Sequence, residues 1–228
     1  MAVALITGAS RGFGLAIART LAHDGWALVI DARGADALLG AAAELDKLTV
    51  VRALPGDVTE PAHREALVAA AWDLGGLDLL VNNASILGPS PQPALAGYPL
   101  DALREVYEAN VVAPLALVQQ ALPLLQVSNG VVVNITSDAA VEAYEGWGGY
   151  GSSKAALEQW GNILGAEQPD LRVYTFDPGD MRTQMHQDAF PGEDISDRPL
   201  PESVVPSFVA LLHERPVSGR YRAAELVP

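Results

Sequence analysis

Tyr150 and Lys154 are four residues apart in a stretch whose pattern predicts a helix, so their side chains would lie on one helix face. Lys154 is one of only two lysines in the chain. A free phenol has a pKa of about 10, too high for ready proton exchange near neutrality. A neighbouring ammonium group favours the phenolate and lowers that pKa. The pair therefore predicts a general acid that protonates a reduced carbonyl oxygen, and a general base in the reverse reaction.

Two further polar residues with suitable chemistry precede this pair in the sequence. Ser137 follows an apolar strand-like run, 13 residues before Tyr150, and Asn110 lies within a helical stretch. A serine hydroxyl at a strand end can hold and polarise a substrate oxygen by a hydrogen bond. Each residue alone also has a plainer interpretation: a surface Tyr–Lys pair, a capping serine, an asparagine bonded locally. It is improbable that all of these residues occur together by chance.

A glycine-rich turn lies between the first predicted strand and the first predicted helix. Its glycines follow the spacing Gly-x-x-x-Gly-x-Gly at Gly8, Gly12 and Gly14, with Ser10, Arg11 and Phe13 between them. Glycine permits the sharp turn and the close approach of a pyrophosphate, and the helix N-terminus offers free N–H groups. A tight turn without a ligand is the alternative, which the strand–turn–helix context disfavours.

Short apolar runs alternate with Ala/Leu-rich helical stretches along the whole chain. Strands are predicted at 3–7, 27–31, 50–54, 77–82, 131–136 and 172–176, with a seventh near 220–224. Helices are predicted at 14–23, 36–45, 60–74, 101–125, 150–167 and 202–213. This alternation predicts one α/β domain over 1–228, a doubly wound, Rossmann-type sheet of seven parallel strands with helices on both faces. The loops 88–99 and 184–201 are long enough to shape a binding site, and 184–200 is the candidate substrate loop.

Composition narrows the classes of function. The formal net charge is −14 over 228 residues, which disfavours binding to nucleic acid or to an anionic membrane. There is no cysteine, and the four histidines lack metal-ligand spacing, so neither thiolate chemistry nor a metal site is expected. The start of the chain lacks the features of a signal peptide. The apolar stretch 111–125 contains two prolines and two glutamines, which favours a buried helix and a cytoplasmic protein.

Over nearly its whole length the chain resembles the short-chain dehydrogenase/reductase family. The resemblance rests on the glycine spacing and on the four residues Asn110, Ser137, Tyr150 and Lys154. It implies that these four form a catalytic tetrad, that Tyr150 and Lys154 also contact the nicotinamide ribose, and that Asn110 holds a water connected to the lysine.

The resemblance also implies the other cofactor contacts. By position, Asp57 and Val58 would contact the adenine ring. Asn83 and Ala84 belong to an Asn-Asn-Ala segment in which Ser85 replaces the family's glycine. The nicotinamide carboxamide would be held by the family's Pro-Gly segment, which is represented here by Pro178, Gly179, Met181 and Thr183.

The choice between NAD and NADP depends on the end of the second strand. A carboxylate there binds the ribose hydroxyls of NAD, whereas a nearby arginine accommodates the extra phosphate of NADP. Asp31 lies one residue early for the NAD carboxylate, and it could instead cap the following turn. Arg33 lies where NADP enzymes carry a basic residue, and Arg11 is a second candidate. The sequence therefore favours NADPH, with NAD as the alternative.

These observations predict an NADPH-dependent carbonyl reductase acting on a small ketone or alcohol. Short stretches around residues 82–88, 146–150 and 167–173 resemble the sepiapterin reductase branch of the family, which makes a pteridine-like substrate one candidate. The acidic charge disfavours substrates delivered on acidic carrier proteins. An NAD-dependent alcohol dehydrogenase and a non-catalytic dinucleotide sensor are the alternatives. A homodimer or homotetramer is expected, because the family pairs the helices predicted at 101–125 and 150–167.

Overall fold

A computed structural model describes residues 1–226, and within them seven strands form one sheet in which every neighbouring pair is parallel. The strands are β1 Val3–Ile6, β2 Ala27–Ala32, β3 Val51–Pro55, β4 Leu79–Asn82, β5 Val131–Ile135, β6 Arg172–Asp177 and β7 Gly219–Arg222. Their order across the sheet is β3-β2-β1-β4-β5-β6-β7. The chain reverses its direction of winding between β1 and β4, so a crevice opens there at the carboxyl ends of the strands.

Helices cover both faces of the sheet. They are α1 Gly12–His23, α2 Ala35–Leu45, α3 Pro61–Asp73, α4 Leu100–Tyr107, α5 Ala113–Ser128, α6 Gly148–Glu167, α7 Gln184–Ala189 and α8 Pro201–Glu214. Between the helices and the sheet lie two hydrophobic cores. The first core contains side chains of α1, α2 and α8, and the second core contains side chains of α3, α5 and α6.

The central strands are apolar at successive positions because each of their faces is covered. In β1, Ala4 and Ile6 belong to the first core, while Val3 and Leu5 belong to the second. All four residues are buried. This is the pattern expected of parallel strands between two helical layers.

A π-turn at Glu108–Val112 joins α4 and α5 into one continuous helical segment, Leu100–Ser128. The segment is long and apolar enough to cross a membrane by length and composition alone. In this fold it packs on the sheet, and Leu117, Val118 and Ala121 are buried in the second core. Such π-turns often lie at functional sites, and this one contains Asn110.

The sequence-based fold prediction of one sheet with seven parallel strands is confirmed. Most predicted ends of strands and helices lie within two residues of those observed. One prediction needs correction: the segment 184–201 is not all loop, because α7 occupies its first six residues. Thr183 begins that helix by accepting a hydrogen bond from the His186 N–H at 3.2 Å. The predicted domain 1–228 extends two residues beyond the described part.

Candidate active site

A cleft of about 1070 Å³ opens at the carboxyl ends of the strands. That volume is at the upper end of the range typical of small-molecule sites. Most of the site residues predicted from the sequence line it, including Ser137, Tyr150 and Lys154. In the described part of the chain, the predicted residues that do not line it are Gly14 and Asn110.

The glycine turn is held against the end of β4 by hydrogen bonds. The Asn83 side-chain amide donates to the main-chain oxygens of Thr7 at 2.8 Å and Gly8 at 3.1 Å. Gly8 has a φ of +67°, which disfavours any side chain there. A Cβ added at Gly14 would lie 2.5 Å from the Asn83 Nδ2 atom and 2.8 Å from the Gly8 oxygen.

The N-terminus of α1 faces this turn. Among residues 1–226, no side chain caps its first turn, and no acidic residue lies within that turn. Uncapped N–H groups and the positive end of the helix dipole suit a pyrophosphate. The turn therefore fits the phosphate-binding role that its sequence predicts.

Asp31 has a structural role at this turn. Its side chain is buried, and Oδ1 accepts a hydrogen bond from the Gly8 N–H at 2.8 Å. Its Oδ2 lies 3.0 Å from the Nε2 atom of His63. Burial raises the pKa of Asp31, although His63 and the Gly8 N–H both oppose that rise. Both carboxylate oxygens thus have partners within the protein, as the turn-capping interpretation of Asp31 requires.

Two exposed arginines line the adenosine end of the cleft. They are Arg11, directly before Gly12, and Arg33, just beyond β2. Burial alone would raise the pKa of Asp57, but hydrogen bonds from Thr59 and the nearby charge of Arg33 hold it below its ordinary value. The lining of the cleft therefore includes these two exposed cations and the ionised carboxylate of Asp57.

Tyr150 and Lys154 lie on one face of α6, as their spacing predicts. Lys154 is buried, and its Nζ donates a hydrogen bond to the Ile135 main-chain oxygen at 2.8 Å. The same Nζ lies 5.4 Å from the centre of the Tyr150 ring. The end of β5 thereby holds the lysine beside the phenol.

The pKa values of this pair differ from the sequence-based expectation. Burial lowers the pKa of Lys154 to about 7, although Glu158 opposes that change. Burial and the charges of Asp177 and Asp138 raise the pKa of Tyr150 well above its ordinary value, and the Ser85 hydroxyl opposes that rise. The direction for Tyr150 is opposite to the one expected from a neighbouring ammonium group, because burial is the largest influence on this phenol.

Ser137 is held by its neighbour Asp138. The Ser137 hydroxyl donates to Asp138 Oδ1 at 2.9 Å and accepts from the Ala139 N–H at 3.2 Å. The other Asp138 oxygen accepts from the Tyr144 hydroxyl at 2.9 Å. The serine must therefore turn away from Asp138 before it can donate to a substrate oxygen. Sequence reasoning assigned no role to Asp138, although its place directly after Ser137 is a signal for this contact.

The side chain of Asn110 is fully hydrogen-bonded within the protein. Its oxygen accepts from the Ser85 hydroxyl at 3.1 Å and from the Ile86 N–H at 2.9 Å. Its amide donates to the Ile86 oxygen at 2.9 Å and to the Ser153 hydroxyl at 3.0 Å. A water at this position would therefore have to be held by the main chain of the π-turn. Ser85, which replaces the family's glycine, contacts both Asn110 and Tyr150.

Aromatic and apolar side chains surround Tyr150 on the side where a substrate would enter. Trp147 lies 5.9 Å from Tyr150 and 5.8 Å from Phe190, measured between ring centres. His186 lies 4.9 Å from Phe190. Leu87, Met185 and Ala189 complete this aromatic wall. Helix α7 thus brings the segment after Thr183 against the catalytic tyrosine.

A dinucleotide-binding turn at the switch point of a parallel sheet, facing a Tyr–Lys pair and a serine, defines a class of nicotinamide-dependent oxidoreductases. The family model for short chain dehydrogenase matches residues 2–194. The chain belongs to the short-chain dehydrogenase/reductase family and is an NAD(P)-dependent enzyme acting on CH–OH or carbonyl groups.

Known proteins with different substrates are similar to this chain. It is 36% identical to the rhamnolipids biosynthesis 3-oxoacyl-[acyl-carrier-protein] reductase of Pseudomonas aeruginosa, over 80% of this chain and 74% of that protein. It is 35% identical to the sepiapterin reductase of Mus musculus, over 82% and 77%. An alcohol dehydrogenase of Thermococcus sibiricus, complexed with 5-hydroxy-NADP, superposes with a TM-score of 0.85 at 30% identity, covering 97% and 95% of the two chains.

Replacing Gly14 by alanine tests the contact between the glycine turn and Asn83. The added methyl group overlaps Asn83 and the Gly8 oxygen, and overpacking of this kind costs about 1–3 kcal/mol. We expect NADPH affinity, measured by cofactor fluorescence, to fall about tenfold or more. Gly40→Ala is the control, since within residues 1–226 nothing lies within 4 Å of a Cβ added in this exposed turn of α2. Equal affinities of the two variants would contradict the prediction.

Proposed function

We propose that this protein is an NADPH-dependent carbonyl reductase that acts on small, partly aromatic ketones. The observation that carries the proposal is the position of Tyr150, which is buried beside Lys154 and lines the same cleft as the phosphate-binding turn. Its raised pKa keeps the phenol protonated at neutral pH. A protonated phenol is the form that reduction of a carbonyl requires.

Each polar residue of the site has a task in this proposal. The bound nicotinamide supplies the hydride. Tyr150 donates its proton to the substrate oxygen, and Ser137, once turned from Asp138, donates a hydrogen bond to the same oxygen. Lys154, held by the Ile135 oxygen, binds the nicotinamide ribose and returns a proton toward Tyr150.

We infer NADPH as the preferred cofactor from the partners of Asp31 and the exposure of two arginines. Both oxygens of Asp31 have partners within the protein, so this carboxylate is poorly placed to select ribose hydroxyls. Arg11 and Arg33 are exposed and line the cleft, so their guanidinium groups can reach a phosphate.

The substrate class follows from the lining of the cleft beyond Tyr150. Trp147 and His186 line the cleft and both pack against Phe190, and this aromatic lining favours a flat, partly aromatic compound, of which a pteridine-like ketone is one example. Asp138 and Asp180 also line this cleft and disfavour anionic substrates. Residues 184–200 would act as the substrate loop through Met185 and Phe190.

Turnover by the parent protein and by Tyr150→Phe tests the function. With NADPH, we expect the parent to reduce neutral aromatic diketones and dihydropterin ketones, followed by loss of NADPH absorbance. Tyr150→Phe keeps the ring and removes the proton donor, so kcat should fall about 10²- to 10⁴-fold. Cofactor binding should survive. Tyr107→Phe, which does not line the cleft, is the matched control. Parental turnover by the Tyr150 variant would refute the mechanism.

Arg33→Ala tests the proposed cofactor preference. Losing a charge-assisted phosphate contact costs roughly 1.5–3 kcal/mol, so NADPH affinity should fall roughly 10- to 150-fold. NADH affinity should change little, because NADH has no such phosphate. Arg52→Ala, which removes an exposed arginine of β3 away from the cleft, is the control. If the affinities for NADPH and NADH fell equally, Arg33 would not be the residue that contacts the phosphate.

We also propose a cytoplasmic homodimer or homotetramer, as the family resemblance implies. Large apolar side chains on the helices concerned are exposed: Val112 and Ile163 are each 47% exposed and Val127 is 87% exposed. Burying them against a second copy would be favourable. Light scattering at micromolar concentration should therefore give the mass of two or four chains, and a monomer would contradict this proposal.

A further inference from the structure

Three charged side chains from three different elements meet behind the cleft. Arg220 of β7 donates from Nε to Glu158 Oε1 of α6 at 3.0 Å and from NH2 to Asp177 Oδ2 of β6 at 2.7 Å. Asp177 and Glu158 are buried, with 3% and 8% of their surface exposed. Among residues 1–226, none of the three belongs to the lining of the cleft. A role in the active site would therefore act through the neighbouring residues that line the cleft.

Each carboxylate of this group also touches a segment that carries the active site. Glu158 Oε1 accepts a hydrogen bond from the Thr136 hydroxyl at 2.6 Å, next to Ser137 at the end of β5. Asp177 Oδ1 accepts from the Gly179 N–H at 3.0 Å, within the Pro-Gly segment. Arg220 itself approaches the Ser137 main-chain oxygen at 3.5 Å.

We propose that Arg220 is a positioning residue for the active site. Its guanidinium group holds α6, the end of β5 at Ser137 and the Pro178–Gly179 segment together through the hydrogen bonds described above. Its positive charge also compensates the negative charges of Glu158 and Asp177. A planar guanidinium suits this task, because its several N–H donors point in fixed directions toward both carboxylates.

The charge balance has a consequence for Lys154. Glu158 lies one helical turn beyond Lys154 and stabilises its ammonium form. Without Arg220, the charges of Glu158 and Asp177 would be less compensated, so the protonated form of Lys154 would gain stability. The pKa of Lys154 should therefore rise. The other charged or titratable groups on α6 and on the elements packed against it are Asp101, Arg104, Glu105, Tyr107, Glu108, Asp138, Tyr150, Glu167, Arg172, Tyr174, Tyr221 and Arg222.

The small number of lysines allows a direct measurement. With lysine labelled by ¹³C at Cε, NMR should show two signals, and Lys47→Arg assigns them. In the parent without cofactor, Lys154 should titrate near 7. In Arg220→Met, its midpoint should rise by about one pH unit. Arg52→Met is the control, because Arg52 is exposed on β3, at the opposite edge of the sheet from β7. Its titration should match the parent.

Because unpaired buried carboxylates destabilise a fold, the Arg220→Met substitution is also tested in a protein that already carries Glu158→Gln. Glu158→Gln removes one carboxylate, and adding Arg220→Met to that variant should again raise the midpoint of Lys154. An unchanged midpoint in both backgrounds would overturn the charge role of Arg220.

Kinetics test the positioning role, and this arm alone rests on the proposed reductase function. In Arg220→Met, or in the double variant relative to Glu158→Gln, kcat should fall about tenfold or more. The Kd for NADPH should change by a smaller factor than kcat, since none of the hydrogen-bond partners of Arg220 lies in the phosphate-binding turn. Unchanged kcat would overturn the positioning role. An inactive parent with the expected Lys154 shift would refute the proposed function while leaving the charge role of Arg220 standing.

Discussion

The close approach of two strand ends is the constraint on which the cleft depends. A Cβ added at Gly8 would lie only 2.9 Å from the Ala84 Cα, so the loops after β1 and β4 can meet only where one of them lacks a side chain. Asn83 then joins the two loops by hydrogen bonds to Thr7 and Gly8. Because the winding of the sheet reverses at this same place, the free N–H groups of α1 point into the crevice that the reversal opens.

Burial shifts the pKa values of Tyr150 and Lys154, the two residues of the cleft that are proposed to move protons. Desolvation acts on Tyr150 and Lys154 in the same sense, since it favours the neutral form of each group. The result is a protonated phenol beside an amine that titrates near neutrality. A lysine that titrates near neutrality can gain or lose a proton at physiological pH, whereas a solvent-exposed lysine with its ordinary pKa stays charged.

Sequence reasoning was most successful where a local pattern has one physical meaning. The alternation of apolar runs predicts the parallel sheet, and the glycine spacing predicts the turn before α1. It was least successful where a side chain has several possible partners. The sequence left Asp31 either as a cofactor carboxylate or as a cap, and no local pattern predicts its contacts with the Gly8 N–H and with His63. The Ser137–Asp138 bond and the ion pairs of Arg220 depend likewise on side-chain directions, and the bonds of Arg220 join residues 43 and 62 positions apart.

The partners of Asp31 separate two tasks that one carboxylate could otherwise combine. An acidic residue at the end of β2 can shape the glycine turn or select ribose hydroxyls, but each of its oxygens has limited room for donors. In this protein one oxygen holds the Gly8 N–H and the other faces His63. Recognition at the adenosine end is thereby left to exposed side chains, among which Arg11 and Arg33 carry positive charge. Because both side chains are exposed, we expect their substitution to change the proposed preference for NADPH more than it changes the geometry of the glycine turn.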